Sequence, residues 1–205
     1  VEEVHKLGRV TTAHCEAYDS ISNAVHAGVD VLAHCGFIMP DGTRDYDELA
    51  VKTMAANGQY YNPTLQTCSA RWDSLRLKEK TGSLTAGERD AFDGLEYKFQ
   101  RKYENLRRFV KAGVRIVAGS DATGLGNSTR LLRALEMMGE AGLGSMHVIR
   151  SATGIAAEAF WIDAEVGVIR RGLRADLIAV DGDPSEDISA LRDLCFVMKS
   201  GKIIR

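Results

Sequence analysis

The chain has 205 residues, 26 of them basic and 28 acidic, for a formal net charge of −2. Apolar residues make up 45% and charged residues 26%, an ordinary globular composition with room for a sizeable core. The even charge argues against a nucleic-acid partner, no apolar run approaches the ~18 residues of a membrane span, and three prolines without a low-complexity tract argue against disorder.

The chain opens with Val1-Glu2-Glu3-Val4-His5-Lys6-Leu7-Gly8, with no initiator Met and no signal peptide. This reads as the end of a helix stopped at Gly8, and so as the start of a fragment. Residues 9–14 form a β-rich run, and residues 20–27 a helix closed by Gly28. Residues 29–34 are a second, apolar strand. A polar loop at 39–44 leads into a helix at 45–57, closed by Gly58. Residues 59–65 follow as a third strand, with Pro63 near its end, where a missing donor does least harm.

Residues 69–112 are highly charged. Phe92, Leu95, Phe99, Tyr103, Leu106 and Phe109 recur within them at three- and four-residue spacing, the stripe of a surface helix packed on a core. Gly82-Ser83-Leu84-Thr85 breaks the stretch, and Thr85 with Glu88 has capping-box spacing. Residues 114–121 are a fourth strand ending in Gly119-Ser120-Asp121. Gly124-Leu125-Gly126-Asn127-Ser128 is a weak match to a phosphate-cradling loop, and a plain turn with Ser128 as N-cap explains it equally well. Residues 128–141 and 146–160 read as helices. Strands alternating with helices indicate βα units and a parallel sheet.

After Trp161 the character changes. Residues 165–169 and 175–180 are short β-runs, and 196–204 reads as a hairpin turning at Ser200-Gly201. We therefore expect two parts, 1–160 and 161–205, the second joining a separate small sheet.

The four cysteines, Cys15, Cys35, Cys68 and Cys195, show neither zinc-knuckle nor disulfide spacing. They read as small buried residues or free thiols. His14, His34 and Asp121 all fall at the C-terminal ends of predicted parallel strands, the rim where (β/α)8 barrels build active sites. Two imidazoles and a carboxylate converging there suit a catalytic divalent metal. Cys15 and Cys35 follow the histidines directly, so they point to the opposite face, toward the surrounding helices. His5, His26 and His147 read as surface or core residues.

Several pieces then occur in order: Thr12-Ala13-His14, Ala27-Gly28-Val29-Asp30-Val31-Leu32-Ala33-His34-Cys35-Gly36, Asn62-Pro63-Thr64-Leu65, Ala118-Gly119-Ser120-Asp121-Ala122, Ala152-Thr153-Gly154-Ile155-Ala156-Ala157-Glu158-Ala159 and Gly167-Val168-Ile169-Arg170-Arg171-Gly172-Leu173-Arg174-Ala175-Asp176-Leu177, continuing to Asp181-Gly182-Asp183-Pro184. Over essentially its whole length the chain resembles the C-terminal half of the amidohydrolase superfamily. It is most similar to the imidazolonepropionase-like branch that includes Xaa-Pro dipeptidase (prolidase-type) members.

The resemblance implies an α/β fold: the C-terminal half of a (β/α)8 TIM-like barrel, strands five to eight within residues 1–160, plus part of a small β-sandwich at 161–205. It implies that His14 and His34 are metal ligands at the ends of the fifth and sixth strands. Asp121, at the end of the eighth, would bind metal and act as general base. Pro63-Thr64-Leu65, at the seventh, would lie near substrate. The implied protein is a metal-dependent hydrolase of C–N bonds in a cyclic amide, dipeptide or related small molecule. It would hold one or two divalent ions, zinc foremost, and be a cytoplasmic homo-oligomer when intact. The family's His-x-His pair and carboxylated lysine would lie on strands preceding Val1, so this chain alone is expected to show little or no activity. Trp161 stands where the family often has Gly. A non-catalytic barrel-derived assembly protein is the alternative. Such proteins usually lose the ligand set, and His14, His34 and Asp121 all stand here.

Overall fold

The structure, a computed structural model, describes residues 1–122 and 129–205. The Gly124-to-Ser128 turn lies outside the described residues. After helix α1 (Glu2–Lys6), strands and helices alternate: β1 (Thr12–Ala17), α2 (Tyr18–His26), β2 (Val31–Ile38), α3 (Glu48–Ala56), β3 (Tyr60–Asn62), α4 (Ser69–Lys80), α5 (Ala86–Lys111), β4 (Arg115–Ile116), α6 (Thr129–Glu140), α7 (Ser145–Ser151) and α8 (Gly154–Ala159). The first four strands form a parallel sheet in the order β1-β2-β3-β4. Its register pairs His14 with Ala33, Ala33 with Asn62 and Tyr61 with Ile116. In that register β3 and β4 stop beside Ala33 and Tyr61, while β1 and β2 run on to Ala17 and Ile38.

Helices cover the sheet with a core that includes Val25, Leu32, Met54, Tyr61, Phe109 and Ile116. Phe109 stacks on Tyr61 at 4.0 Å between ring centroids, 24° from parallel. Trp72 of α4 stacks on Phe99 of α5 at 4.2 Å and donates Nε1–H to Glu96 Oε2 at 2.9 Å. Each such ring, fully buried, contributes about 1.5–3 kcal/mol over leaving it exposed. The stripe on α5 therefore packs as its spacing predicts. The break before it carries the capping box: Thr85 N donates to the Glu88 carboxylate at 3.1 Å.

Several boundaries differ from the sequence reading, and β1 and β2 run on to Ala17 and Ile38, past the ends expected at His14 and His34. The helix expected from residue 45 starts at Glu48, because the Asp47 carboxylate accepts from Ala50 N at 2.8 Å and caps it there. Strand β4 ends at Ile116, since Val117 N still bonds Tyr61 O but Ala118 N turns to Ser151 O at 3.0 Å. That same bond takes a carbonyl from the end of α7. With Thr153 Oγ1 donating back to Ile149 O at 2.8 Å, it divides the expected 146–160 helix into α7 and α8. Residues 165–169 form turns rather than a strand: Gly167, at φ 105°, packs against α8 so closely that a Cβ there would lie 2.6 Å from Ala157 Cβ.

The C-terminal segment forms its own antiparallel sheet, β5 (Leu177–Val180), β6 (Leu194–Lys199) and β7 (Lys202–Ile203), with a 3-10 helix at Ile188–Arg192. Ser200 and Gly201 turn the β6–β7 hairpin with φ of 51° and 76°, the conformation such a tight turn demands. Trp161 also adopts φ 58°, just after α8. This is a left-handed helix-end position that favours glycine, which accounts for the Gly the resemblance places there. Among the described residues, no helix is long and apolar enough to cross a membrane.

Candidate functional site

His14, within β1, and His34, within β2, come together on neighbouring strands, each short of its strand's end. Their rings meet edge to face, 4.6 Å between centroids. Both line a cavity of about 340 Å³, and Asp121, just beyond the fourth strand, lines it too. All three predicted site residues thus share one cavity, with His14 and Asp121 exposed and His34 partly covered.

A chain of contacts holds His34. Its Nδ1 meets Thr64 Oγ1 at 2.6 Å, and its backbone carbonyl accepts from the Tyr61 hydroxyl at 3.1 Å. Thr64 N donates to Asn62 Oδ1 at 3.4 Å. The Asn62 carboxamide lies over Gly119, where an added Cβ would sit 2.7 Å from Oδ1 and 2.8 Å from Cγ. Only glycine fits at that approach. The Gly119–Asn62–Thr64–His34 series therefore couples the fourth strand's end to the imidazole. Burial pushes the His34 pKa down, so its ring is neutral at pH 7. With Nδ1 engaged by Thr64, Nε2 is free to face the cavity.

His34, Thr64 and Asp121 hold positive φ of 70°, 40° and 45°. Such conformations cost on the order of 1–3 kcal/mol each and cluster at functional sites. Cys15 and Cys35 are buried in the core, as the alternation of faces predicts. Burial pushes the Cys15 thiol up to about 11 and the Cys35 thiol well above its ordinary value, which leaves both poor nucleophiles.

As for a metal, the donor set in this chain is partial. Two imidazoles are suitable ligands, but among the described residues no three of His, Cys, Asp and Glu cluster closely enough to hold an ion. His14 and His34 fit as a share of a centre.

The other wall comes from the loop at residues 36–44 and the helical insert at 68–108, which the sequence allowed to reach the site without singling out residues. Helix α5 contributes Lys98, Arg101, Lys102 and Asn105, and the loops contribute Arg44 and Thr67. The signal was present: residues 98, 101, 102 and 105 follow i, i+3, i+4, i+7, one helical face beside the apolar stripe. By contrast, the nearby aromatics Tyr60 and Trp72 are engaged elsewhere. Arg115 covers Tyr60, and Trp72 is in the core.

Residues 1–204 match the amidohydrolase family. Ochratoxinase from Aspergillus niger is 27% identical over 213 residues, covering 100% of this chain and 40% of that protein. A solved Xaa-Pro dipeptidase with bound methionine in the active site is similar in structure, with a TM-score of 0.75 and 29% identity over 100% of this chain and 47% of its own. A prolidase complexed with N-methylphosphonate-L-proline has a TM-score of 0.74 and 27% identity, again over 100% of this chain and 47% of its own. The chain spans less than half the length of these relatives.

Proposed function

We propose, from the premise that this chain belongs to the amidohydrolase family, that it forms the strand-five-to-eight part of a barrel hydrolase cleaving C–N bonds in small amides or dipeptides. In this reading residues 1–160 are the barrel part and residues 161–205 a portion of a small β-sandwich. The observation that carries it is the histidine pair: two rings 4.6 Å apart on adjacent strands, sharing a cavity with Asp121. The name Xaa-Pro dipeptidase points to dipeptides as a first substrate class to test.

His14 and His34 are two donors to a divalent ion, zinc foremost. The remaining donors correspond to the half of the relatives that this chain does not match. When bound, the ion acidifies water enough to supply hydroxide at neutral pH. His34 offers Nε2, its orientation held through Nδ1 by Thr64, a tether of the kind that typically supports metal-binding imidazoles. Asp121 takes the proton of the attacking water on a carboxylate oxygen. It then returns that proton to the leaving nitrogen, so the amine departs neutral. Cavity walls built by α5 and the loops after β2 and β3 receive the substrate and limit water.

The test is turnover of a dipeptide and N-acyl amino-acid panel by the whole protein, before and after chelation and on adding zinc back. Chelator-sensitive, zinc-restored hydrolysis that Asp121→Asn abolishes is the expected result. Hydrolysis untouched by chelator and by Asp121→Asn overturns the reading.

A further inference from the structure

Helix α5 brings more positive charge to the cavity than its acids balance. Arg44, Lys98, Arg101 and Lys102 line it against Glu16 and Asp121. Two of the four cations are engaged: Arg44 donates to the Gly36 carbonyl, and Arg101 lies 3.4 Å from Glu104. Among the described residues, neither Lys98 nor Lys102 has a carboxylate within 4.0 Å.

Lys102 is the better enclosed. Its ammonium lies 5.4 Å from the Phe99 ring centroid, a contact that holds it without neutralising it. Burial, with Lys98 beside it, brings its pKa down to about 8. Beside these lysines the wall carries two buried polar atoms with no hydrogen-bond partner, Thr67 Oγ1 and Asn105 Oδ1. Orphaned polar atoms and unpaired ammonium groups on one surface are costly unless something binds there. The partner that the two ammonium groups and the Thr67 hydroxyl lack is an anionic acceptor within the cavity that also holds the histidine pair; Asn105 Oδ1, itself an acceptor, takes no part in binding it.

We propose that Lys102, with Lys98 and the Thr67 hydroxyl, forms a carboxylate subsite that selects molecules carrying an acidic group. The occupant is a substrate if the amide-hydrolase reading above holds, and on that point the subsite rests on it. Affinity for a carboxylate does not depend on turnover.

Two pairs of probes test this on the whole protein. N-acetyl-L-glutamate and N-acetyl-L-glutamine differ only in a side-chain carboxylate. N-acetyl-L-phenylalanine and its primary amide differ only at the terminal one. NMR titration reports binding and, separately, any hydrolysis of the probe. We expect the charged member of at least one pair to bind about 10- to 100-fold more tightly than its neutral isostere. The pair showing the gap identifies which carboxylate is held. Lys102→Ala should erase most of the gap while leaving the neutral probe's affinity in place, and Lys102→Arg should keep part of it. Should Lys102→Ala fail to fold, Thr67→Val and Lys98→Ala should each narrow the gap.

No gap in either pair, no binding of either charged probe, or a gap that survives both lysine substitutions overturns the subsite. Equal loss for charged and neutral probes in Lys102→Ala does so as well. A Lys102-dependent gap in a protein that hydrolyses no amide keeps the subsite and removes the hydrolase reading. Amide hydrolysis without a gap does the reverse.

Discussion

On the strand-end wall of the cavity, His34 Nδ1 meets Thr64, Tyr61 bonds the His34 carbonyl, and Asn62 is wedged between Thr64 and Gly119. On the α5 wall, Thr67 Oγ1 and Asn105 Oδ1 have no partner, and among the described residues Lys98 and Lys102 have no carboxylate within 4.0 Å. The first wall is held by the protein's own hydrogen bonds before any ligand arrives. The second carries groups that the protein's own hydrogen bonds leave unpaired. Preorganised groups suit chemistry, where a shift of an ångström is costly, and unfinished ones suit recognition.

The largest test of this contrast is His34→Ala or His14→Ala in the whole protein, which should take amide turnover below detection and lower bound metal measured by mass spectrometry. Next in size is the packing beneath the strand-end wall. Phe109→Ala removes the ring stacked on Tyr61 and should cost about 3–5 kcal/mol, read by urea unfolding. Third, Gly119→Ala or Thr64→Val should lower metal affinity or turnover by about 10- to 100-fold, since each disturbs the tether of the imidazole rather than the imidazole itself.

The fourth prediction separates the walls by pH. Lys102 has a pKa near 8 and is faced by Lys98, Glu16, Cys68 and Arg44. It is therefore charged below pH 8 and neutral above, and any preference for a carboxylate should weaken as pH rises through 8. Stability should move the opposite way. Between about 8 and the ordinary lysine value of 10.5, the unfolded chain holds a proton that the folded protein has released, so wild-type stability rises with pH over that window. Lys102→Met should accordingly raise the Tm of the free protein at pH 7, with a margin that shrinks above pH 8. Thr64→Val should show no such pH-dependent gain. The smallest effect belongs to a control remote from both walls: Thr85→Ala removes the α5 capping box and should cost about 1 kcal/mol with little change in binding or turnover.

Much of the scaffold was legible residue by residue. The apolar stripe from Phe92 to Phe109, the Thr85–Glu88 cap, the Ser200-Gly201 hairpin and the repeated strand-then-helix order follow from local periodicity and turn chemistry. So did the candidate trio, because a polar residue ending an apolar parallel strand points to a barrel rim. The limits of β4 and the split between α7 and α8 were not legible. Both hinge on one hydrogen bond, Ala118 N to Ser151 O, between residues 33 positions apart.

By itself, the sequence determined most of the strand and helix segments, the apolar face of α5, and that His14, His34 and Asp121 belong to three separate apolar β-runs. These properties are local, written in spacing and residue type. Tertiary structure alone decided that the histidine rings meet, that Gly119 must stay bare to seat Asn62, and that Lys98 and Lys102 turn into the cavity rather than toward water. A charged helical face looks the same in sequence whether solvent or a cavity lies beside it. Only packing, through burial and the loss of partners, distinguishes the two.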